Sequence, residues 1–429
     1  MTRNFKWPLA SALALAVLLV LGFSLAGCGD GDAADDGRTV ITFWHFWSEP
    51  AQKAALEKRI KAFEEANPGL RVELGELSWS EGKAKLQAGF NSNTAPDLLE
   101  LGSDWIAQYS SGGVLADVTT LGAKLDAFSP EIAAPGRWES GVYALPWVVD
   151  TRVLFVNRGL LAAAGQDTTV VDSTWEQLIL RSEAIKASQS GAFGFGVNGE
   201  DRHRLYKKIL PFFWSNGGEL LDAQGQPVIN SAENIEALET YLALSNSGVI
   251  DTQKKLDDDF MQGKIGYLIS GSWLVERIRK DNPSLKYSVT TLPSFPGRAP
   301  MSFAGGEYLA INEASENKQL AMKLAAFLTS AEQALAFCKD LPGGMTPADR
   351  TVANDPFLQG PVRGVFVKQL AMARMTPVHP RWLEIEEVIE TEVSQALLGN
   401  KTATQALNDA QASVGTIIRE GAVATTDEG

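Results

Sequence analysis

The chain has 429 residues, 45% of them hydrophobic and 21% charged, with a formal net charge of -14. That length supports two sizeable cores rather than one, and the acidic balance argues against nucleic acid as the main partner. Two cysteines, Cys28 and Cys338, exclude a disulfide framework, while eleven tryptophans are enough to supply ligand platforms as well as core.

Residues 1–27 read as an export signal: Arg3 and Lys6 make a positive start, 9–25 are uncharged and apolar, and small residues follow. The other reading is an uncleaved anchor, since the apolar run nearly spans a bilayer. Leu25-Ala26-Gly27-Cys28 resembles the bacterial lipobox, which implies a diacylated Cys28 as the first mature residue. Lipid there would hold the protein at a membrane without a spanning helix. Residues 28–38 are rich in Gly and Asp and read as a tether that reaches at most about 35 Å. Cys338, left without a partner, reads as a buried apolar side chain.

The run 40–47 carries Phe43, Trp44, Phe46 and Trp47 and predicts a strand. Ser48 reads as the cap of a helix with Leu56, Ile60 and Phe63 on its apolar face, ended by Asn67-Pro68-Gly69. A strand over 70–77 completes a β-α-β unit. A helix over 83–90 leads to a short strand, 98–101, whose exit carries Ser103, Asp104 and Trp105. Ligands gather at the carboxyl ends of strands in open α/β sheets. Trp47 and Trp105 therefore read as ligand-facing, and Trp44 divides evenly between core and ligand.

Residues 143–157 form two apolar runs split by Asp150-Thr151-Arg152. Pro146 argues for an edge or a crossing segment, and no Gly or Asn marks a hairpin, so the chain passes here from one body to another. Trp147 divides between cleft floor and core. In the second body Ser173 and Glu176 read as a capping box before Trp175, itself core. Residues 193–197 are a strand, and Glu200 and Asp201 lie in its polar exit loop; 205–214 are a helix. Asp257-Asp258-Asp259 reads as a solvated helix start, because three adjacent carboxylates make no calcium site. After a strand at 265–269, Gly271 permits close approach beside the flat face of Trp273. A second crossing is expected over 293–306, a strand over 307–311, helices capped by Ser315 and Ser330, a third crossing at 341–347, and three last helices on the second body. His45, His203 and His379 have no metal-ligand spacing, so no metal and no cofactor are expected.

Several segments in this order resemble the extracellular solute-binding proteins of ABC importers, in the sugar-binding cluster related to maltose-binding protein. They are the lipobox, the Trp-bearing first strand, Glu64-Glu65-Ala66-Asn67-Pro68-Gly69, Ala95-Pro96-Asp97-Leu98-Leu99, Gly113-Val114-Leu115-Ala116-Asp117-Val118, Tyr143-Ala144-Leu145-Pro146, Gly263-Lys264-Ile265-Gly266-Tyr267, Gly271-Ser272-Trp273 and Tyr308-Leu309-Ala310-Ile311. The resemblance implies an α/β, two-lobed periplasmic-binding-protein fold (type II-like), with crossover segments and a ligand cleft between the lobes. Lobe one would comprise 39–149 and 303–347, lobe two 150–302 and 348–420, with 421–429 a flexible tail. It implies ligand contacts at Trp44, Asp104, Asp150, Trp273 and Trp382, and a place in the cleft for Gly305; Trp47 and Trp105 join them from the loop argument. Ser48-Glu49 and Leu101 depart from the maltose pattern.

The function implied is a lipid-anchored, monomeric, non-enzymatic protein that captures a sugar and passes it to the transmembrane subunits of an ABC importer. Two alternatives differ in class. A secreted carbohydrate-active enzyme would use carboxylates such as Asp104, Asp150 and Glu200 as a facing pair. A binder of a non-sugar solute, or a surface lipoprotein that binds another protein, would give no response to sugars.

Overall fold

In the computed structural model the described residues are 37–426, except 80, 342 and 344, with side chains described to 421. The export signal, Cys28 and most of the tether lie outside them. The first body begins with the parallel pair β1 (Thr39–His45) and β2 (Leu70–Glu76), joined by the helix Pro50–Ala66. Leu56, Ile60 and Phe63 are buried as their spacing predicts. The cap is Glu49 rather than Ser48: Glu49 and Gln52 satisfy each other's backbone N–H groups, and Pro50 takes the first helical position, where no donor is missed.

β3 (Leu98–Gly102) lies parallel to β1. After the small ribbon β4 (Arg137–Trp138) and β5 (Gly141–Val142) come β6 (Ala144–Thr151) and β7 (Val153–Asn157), which belong to different sheets. The first sheet has the order β13-β6-β12-β3-β1-β2, where β12 is Ser302–Ile311 and β13 is Thr346–Pro347. The second has the order β11-β7-β10-β8-β9, from β8 (Phe193–Asn198), β9 (Val249–Asp251), β10 (Ile265–Ser270) and β11 (Tyr287–Thr290). Pro146 lies in the strand that leads to the crossing, as expected, and β13 on its other side reaches only Val148 and Val149. The proline faces Tyr308 of β12, where the register shifts between Glu307 and Tyr308, and that irregularity accommodates a residue without a donor.

The break between the runs is narrower than Asp150-Thr151-Arg152. Asp150 and Thr151 still pair with Gly305 and Ala304, so only Arg152 separates the two sheets. The Thr151 hydroxyl donates to the Phe303 carbonyl, and the Ser302 hydroxyl donates to the Arg152 carbonyl, each at 2.7 Å. β14 (Ala373–Arg374) pairs with Ser302 and Phe303, and Ser302 N–H donates to the Met372 carbonyl. Three segments thus cross side by side. The third passes at 372–374, not at 341–347. β13 instead pairs with β6, Ala348 N–H donates to the Trp147 carbonyl and Arg350 N–H to the Ala127 carbonyl, which holds residues 346–350 on the first sheet.

The first core centres on Trp147, stacked on Phe337 at 4.6 Å and met edge-on by Trp47 at 6.0 Å. Cys338 is buried there, as expected. In the second body Trp175 stacks on Phe212 at 3.9 Å, with Tyr241 edge-on to Phe212. The helix Trp175–Ser188 is capped by Thr174, one residue later than expected, with Gln177 reaching back to Ser173 N–H. The helices Trp382–Leu397 and Ala403–Thr426 pack on one another and on Ala232–Asn246. The last runs into the stretch expected as a tail.

Candidate ligand site

The segments that leave β3 and β6 meet those that follow β8 and β10, through Asp104 with Tyr206 and Asp150 with Ser272, so the ends of these strands border one cleft at the crossing. Trp273 opens the helix that follows β10. Gly271 is required two residues earlier, since a Cβ there would stand 2.0 Å from the indole. The indole N–H donates to Asp257 at 2.8 Å, and the Arg152 guanidinium lies over the ring at 4.7 Å. Lys208, on the helix Tyr206–Ser215, approaches the same ring at 5.9 Å.

Asp150 sits at the floor. It accepts from Arg152 at 3.2 Å and from Ser272 N–H, in the second body, at 3.4 Å. Farther out, the Tyr206 hydroxyl donates to Asp104 at 2.7 Å, a second hydrogen bond across the lobe boundary. Tyr206 also packs edge-on to Phe303 and Trp382, at 5.7 and 5.8 Å. Its backbone N–H donates to Glu390, which also accepts from His203 N–H, while the His203 ring meets Glu386.

The site is dense in buried ionisable groups, and burial pushes them toward their neutral forms. Burial raises the Asp150 carboxyl above its ordinary value, with Arg152 opposing. Burial pushes the Glu307 carboxyl up to about 8, with Lys207 the main opposing charge. Glu100, fully buried in β3, is raised well above the carboxylate range by burial and by Glu307, although it accepts from Phe46 N–H. Burial, with Arg152 beside it, takes the Lys208 amine well below its usual range. Such groups are costly to hold without partners, and Glu307 Oε2, Glu386 Oε2 and Trp382 Nε1 have none among the described residues. Aromatic faces beside unsatisfied donors and acceptors suit a polar molecule with apolar ring faces. Among the described residues no three His, Cys, Asp or Glu side chains converge to hold a metal ion.

The structure joins Asp150 to Trp273 through Arg152, and Asp104 to Trp382 through Tyr206, with Trp382 itself buried at 1%; Gly305 pairs with Asp150 in the β6–β12 ladder. It separates the other three. Trp44 points to the outer layer, between Gly75, Gly89 and Lys85, because alternate side chains of a central strand are covered on both faces. Trp47 lies in the first core against Trp147 and Phe337. Trp105 is buried against Phe46 and Trp79. A strand's carboxyl end points a segment toward the cleft, but packing decides each side chain.

Residues missed by sequence reading include Arg152, Tyr206, Lys208, Glu307 and, above all, Asp257. Asp257 and Asp259 are buried, not solvated, and the helix begins at Gln253 under a Thr252 cap. The apolar spacing Leu256-Phe260 carries a signal for this, since it turns Asp257 and Met261 toward the same body.

The sequence matches the family described as bacterial extracellular solute-binding protein over residues 47–335. The diacetylchitobiose binding protein DasA of Streptomyces coelicolor is 24% identical over 432 aligned residues, which cover 94% of this chain and 96% of DasA. The GacH receptor of Streptomyces glaucescens superimposes with a TM-score of 0.79 at 23% identity, over 89% of this chain and 99% of GacH. A solute-binding protein of Thermotoga lettingae bound with α-D-tagatose gives 0.79 at 25% identity, over 88% and 99%. The chain belongs to the family of bacterial extracellular solute-binding proteins.

Proposed function

We propose that this protein captures a sugar or oligosaccharide by closing its two lobes on it and delivers it to the transmembrane subunits of an ABC-type importer. We propose too that lipid on Cys28 holds it, as a monomer, on the outer face of the cell membrane. The carrying observation is Trp273: Asp257 fixes its indole edge-on at the crossing, and the Arg152 guanidinium holds the place over its ring that a sugar face would share or take. A pyranose ring stacks on such a face while its hydroxyls reach the surrounding carboxylates and amines. Named relatives agree in class: DasA for diacetylchitobiose, MdxE of Bacillus subtilis for maltodextrin, and GacH solved with acarbose. The hydrogen bonds Asp104–Tyr206 and Asp150–Ser272 join the lobes, so the closed form is the one a membrane partner would read. They also engage two of the three carboxylates, Asp104 and Asp150, that the enzyme alternative would use.

The test is titration of the mature protein with a sugar panel, followed by calorimetry and product analysis. Saturable binding without turnover is expected, and Trp273→Ala is expected to abolish it while leaving the circular dichroism unchanged. Product release would establish an enzyme instead. No response to any sugar would favour another solute or a protein partner.

A further inference from the structure

The cleft floor leaves one aromatic unused. Among the described residues Trp79 is the most exposed aromatic side chain, at 45%. It is nevertheless held firmly: it stacks on Phe46 at 4.1 Å and meets Trp105 edge-on at 5.9 Å. A Cβ placed on Gly102 would lie 2.7 Å from Asp104 Oδ1 and 3.9 Å from the Trp79 ring, so Trp79 stands beside the carboxylate that meets Tyr206. An exposed indole backed by two buried rings is a platform with one face open.

A chamber of about 430 Å³ lies beyond the same contact. Its walls are the loop of residues 199–205, Ile250 of β9 and the helix Trp382–Leu397 with Leu398 after it, and Lys83 is the one contribution from the first body. Leu205 and Glu390 line it, and these are the neighbour of Tyr206 and the acceptor of its N–H. Gly82, next to Lys83, is pressed on the ring that backs Trp79: a Cβ there would stand 2.5 Å from Phe46. Phe46 thus packs on both the Trp79 platform and the residue next to Lys83. The chamber is within the size range of small-ligand sites, and Thr391, Ser394 and Gln395 give it hydroxyls and an amide beside the apolar Leu397.

We propose that Trp79 and this chamber form an outer subsite for further sugar rings of the same ligand, on the solvent side of the Asp104–Tyr206 contact. The protein's ligand is then an oligosaccharide that extends past that contact, not a monosaccharide. The inference rests on the sugar-binding reading above and adds the length of the ligand to it.

The experiment is calorimetric titration of the mature protein with linear glucose, galactose and N-acetylglucosamine oligomers of increasing length. Wild type is compared with Trp79→Ala and with Ser394→Trp, which fills the chamber. Affinity is expected to rise with chain length in wild type. Both variants are expected to keep the wild-type affinity for the shortest ligand that binds and to lose the gain, about tenfold or more for the longer ones. Equal losses at every length, or no loss at any length, would overturn the outer subsite while leaving sugar binding in place. Failure of wild type to bind any member of the three series would overturn the sugar reading and this inference with it. Thermal midpoints of the two variants, expected within a few degrees of wild type, separate loss of the subsite from loss of the fold.

Discussion

Asp257→Asn is the sharpest perturbation of the site. Asp257 Oδ2 accepts from Trp273 Nε1 at 2.8 Å, while Oδ1 accepts from Gln253 Nε2 at 2.8 Å and from the Ser270 hydroxyl at 3.0 Å. Arg277 stands 3.6 Å from Oδ2, and Lys208 acts on the carboxyl through its charge. An asparagine has the same shape but a single carbonyl oxygen. With its NH2 toward the indole it strands the Trp273 N–H; turned the other way it keeps its partners only if Gln253 reverses its amide and Ser270 its hydroxyl, and in either case Arg277 loses its counter-charge. A hydrogen bond to a charged group is worth about 1.5–3 kcal/mol, and a stranded buried donor costs a similar amount. The expected loss is therefore about 2–4 kcal/mol, which for a lobe of this size lowers the thermal midpoint by about 5–10 °C. Sugar affinity is expected to fall as well, because the indole loses the contact that sets its plane. A double-mutant cycle with Trp273→Phe, read by thermal unfolding, isolates the pair. If the two substitutions add within about 0.5 kcal/mol and leave sugar affinity unchanged, Asp257 does not position Trp273 and the reasoning fails.

Three further outcomes are expected. Tyr206→Phe removes the donor to Asp104, and should weaken sugar affinity by about tenfold or more while expanding the protein in small-angle scattering; an unchanged profile and affinity would mean that this contact does not close the lobes. Gly271→Ala drives a methyl into the Trp273 ring, so binding should be lost with the fold retained by circular dichroism; full affinity would show that the indole can move aside at no cost. Glu307 carries a carboxyl pushed up by burial from an ordinary 4.5 to about 8. The folded protein then keeps a proton that the unfolded chain releases, so this contribution to stability is complete below 4.5 and is lost as pH rises through 8. Glu307→Gln should flatten the fall in thermal midpoint between pH 5 and pH 8 and be the more stable form at pH 8; parallel curves for the two proteins would place that titration elsewhere.

Much of the architecture was legible because it rests on short-range patterns. The apolar spacing of Leu56, Ile60 and Phe63, the proline at the helix start and the β-branched run of β7 each dictate local structure, and all were found where expected. Pro146 showed the limit of such reasoning. A missing donor excludes a regular central pairing, and β6 accommodates it by leaving Trp147 out of the register against β12 and by meeting β13 only at Val148 and Val149, neither of which is visible in sequence. The third crossing was misplaced for a related reason. Residues 341–347 have the composition of a linker, yet Thr346 and Pro347 add a strand to the first sheet, while the true crossing at Ala373–Arg374 is two residues that pair with Ser302 and Phe303.

The site was harder to read than the fold because its chemistry is made by the meeting of the lobes. Asp257, Arg152, Lys208 and Glu307 lie far apart in the chain, and each taken alone looks like a solvated side chain. Their burial follows from the crossing. Thr151, Phe303, Ser302 and Met372 are locked by hydrogen bonds on three adjacent segments, and that lock brings the ends of β6, β10 and β12 together. Desolvating these charges is unfavourable unless each gains a partner. Asp150 gains Arg152 and Ser272, and Asp257 gains Trp273, but Glu307 and Glu386 keep an unpartnered oxygen. A ligand that supplies hydroxyl donors to those oxygens stabilises the closed arrangement over the open one, in proportion to the penalty it removes. On the function proposed above, these unpartnered carboxyl oxygens are what couple binding to closure, and a site without them on the same crossing would bind without closing as strongly.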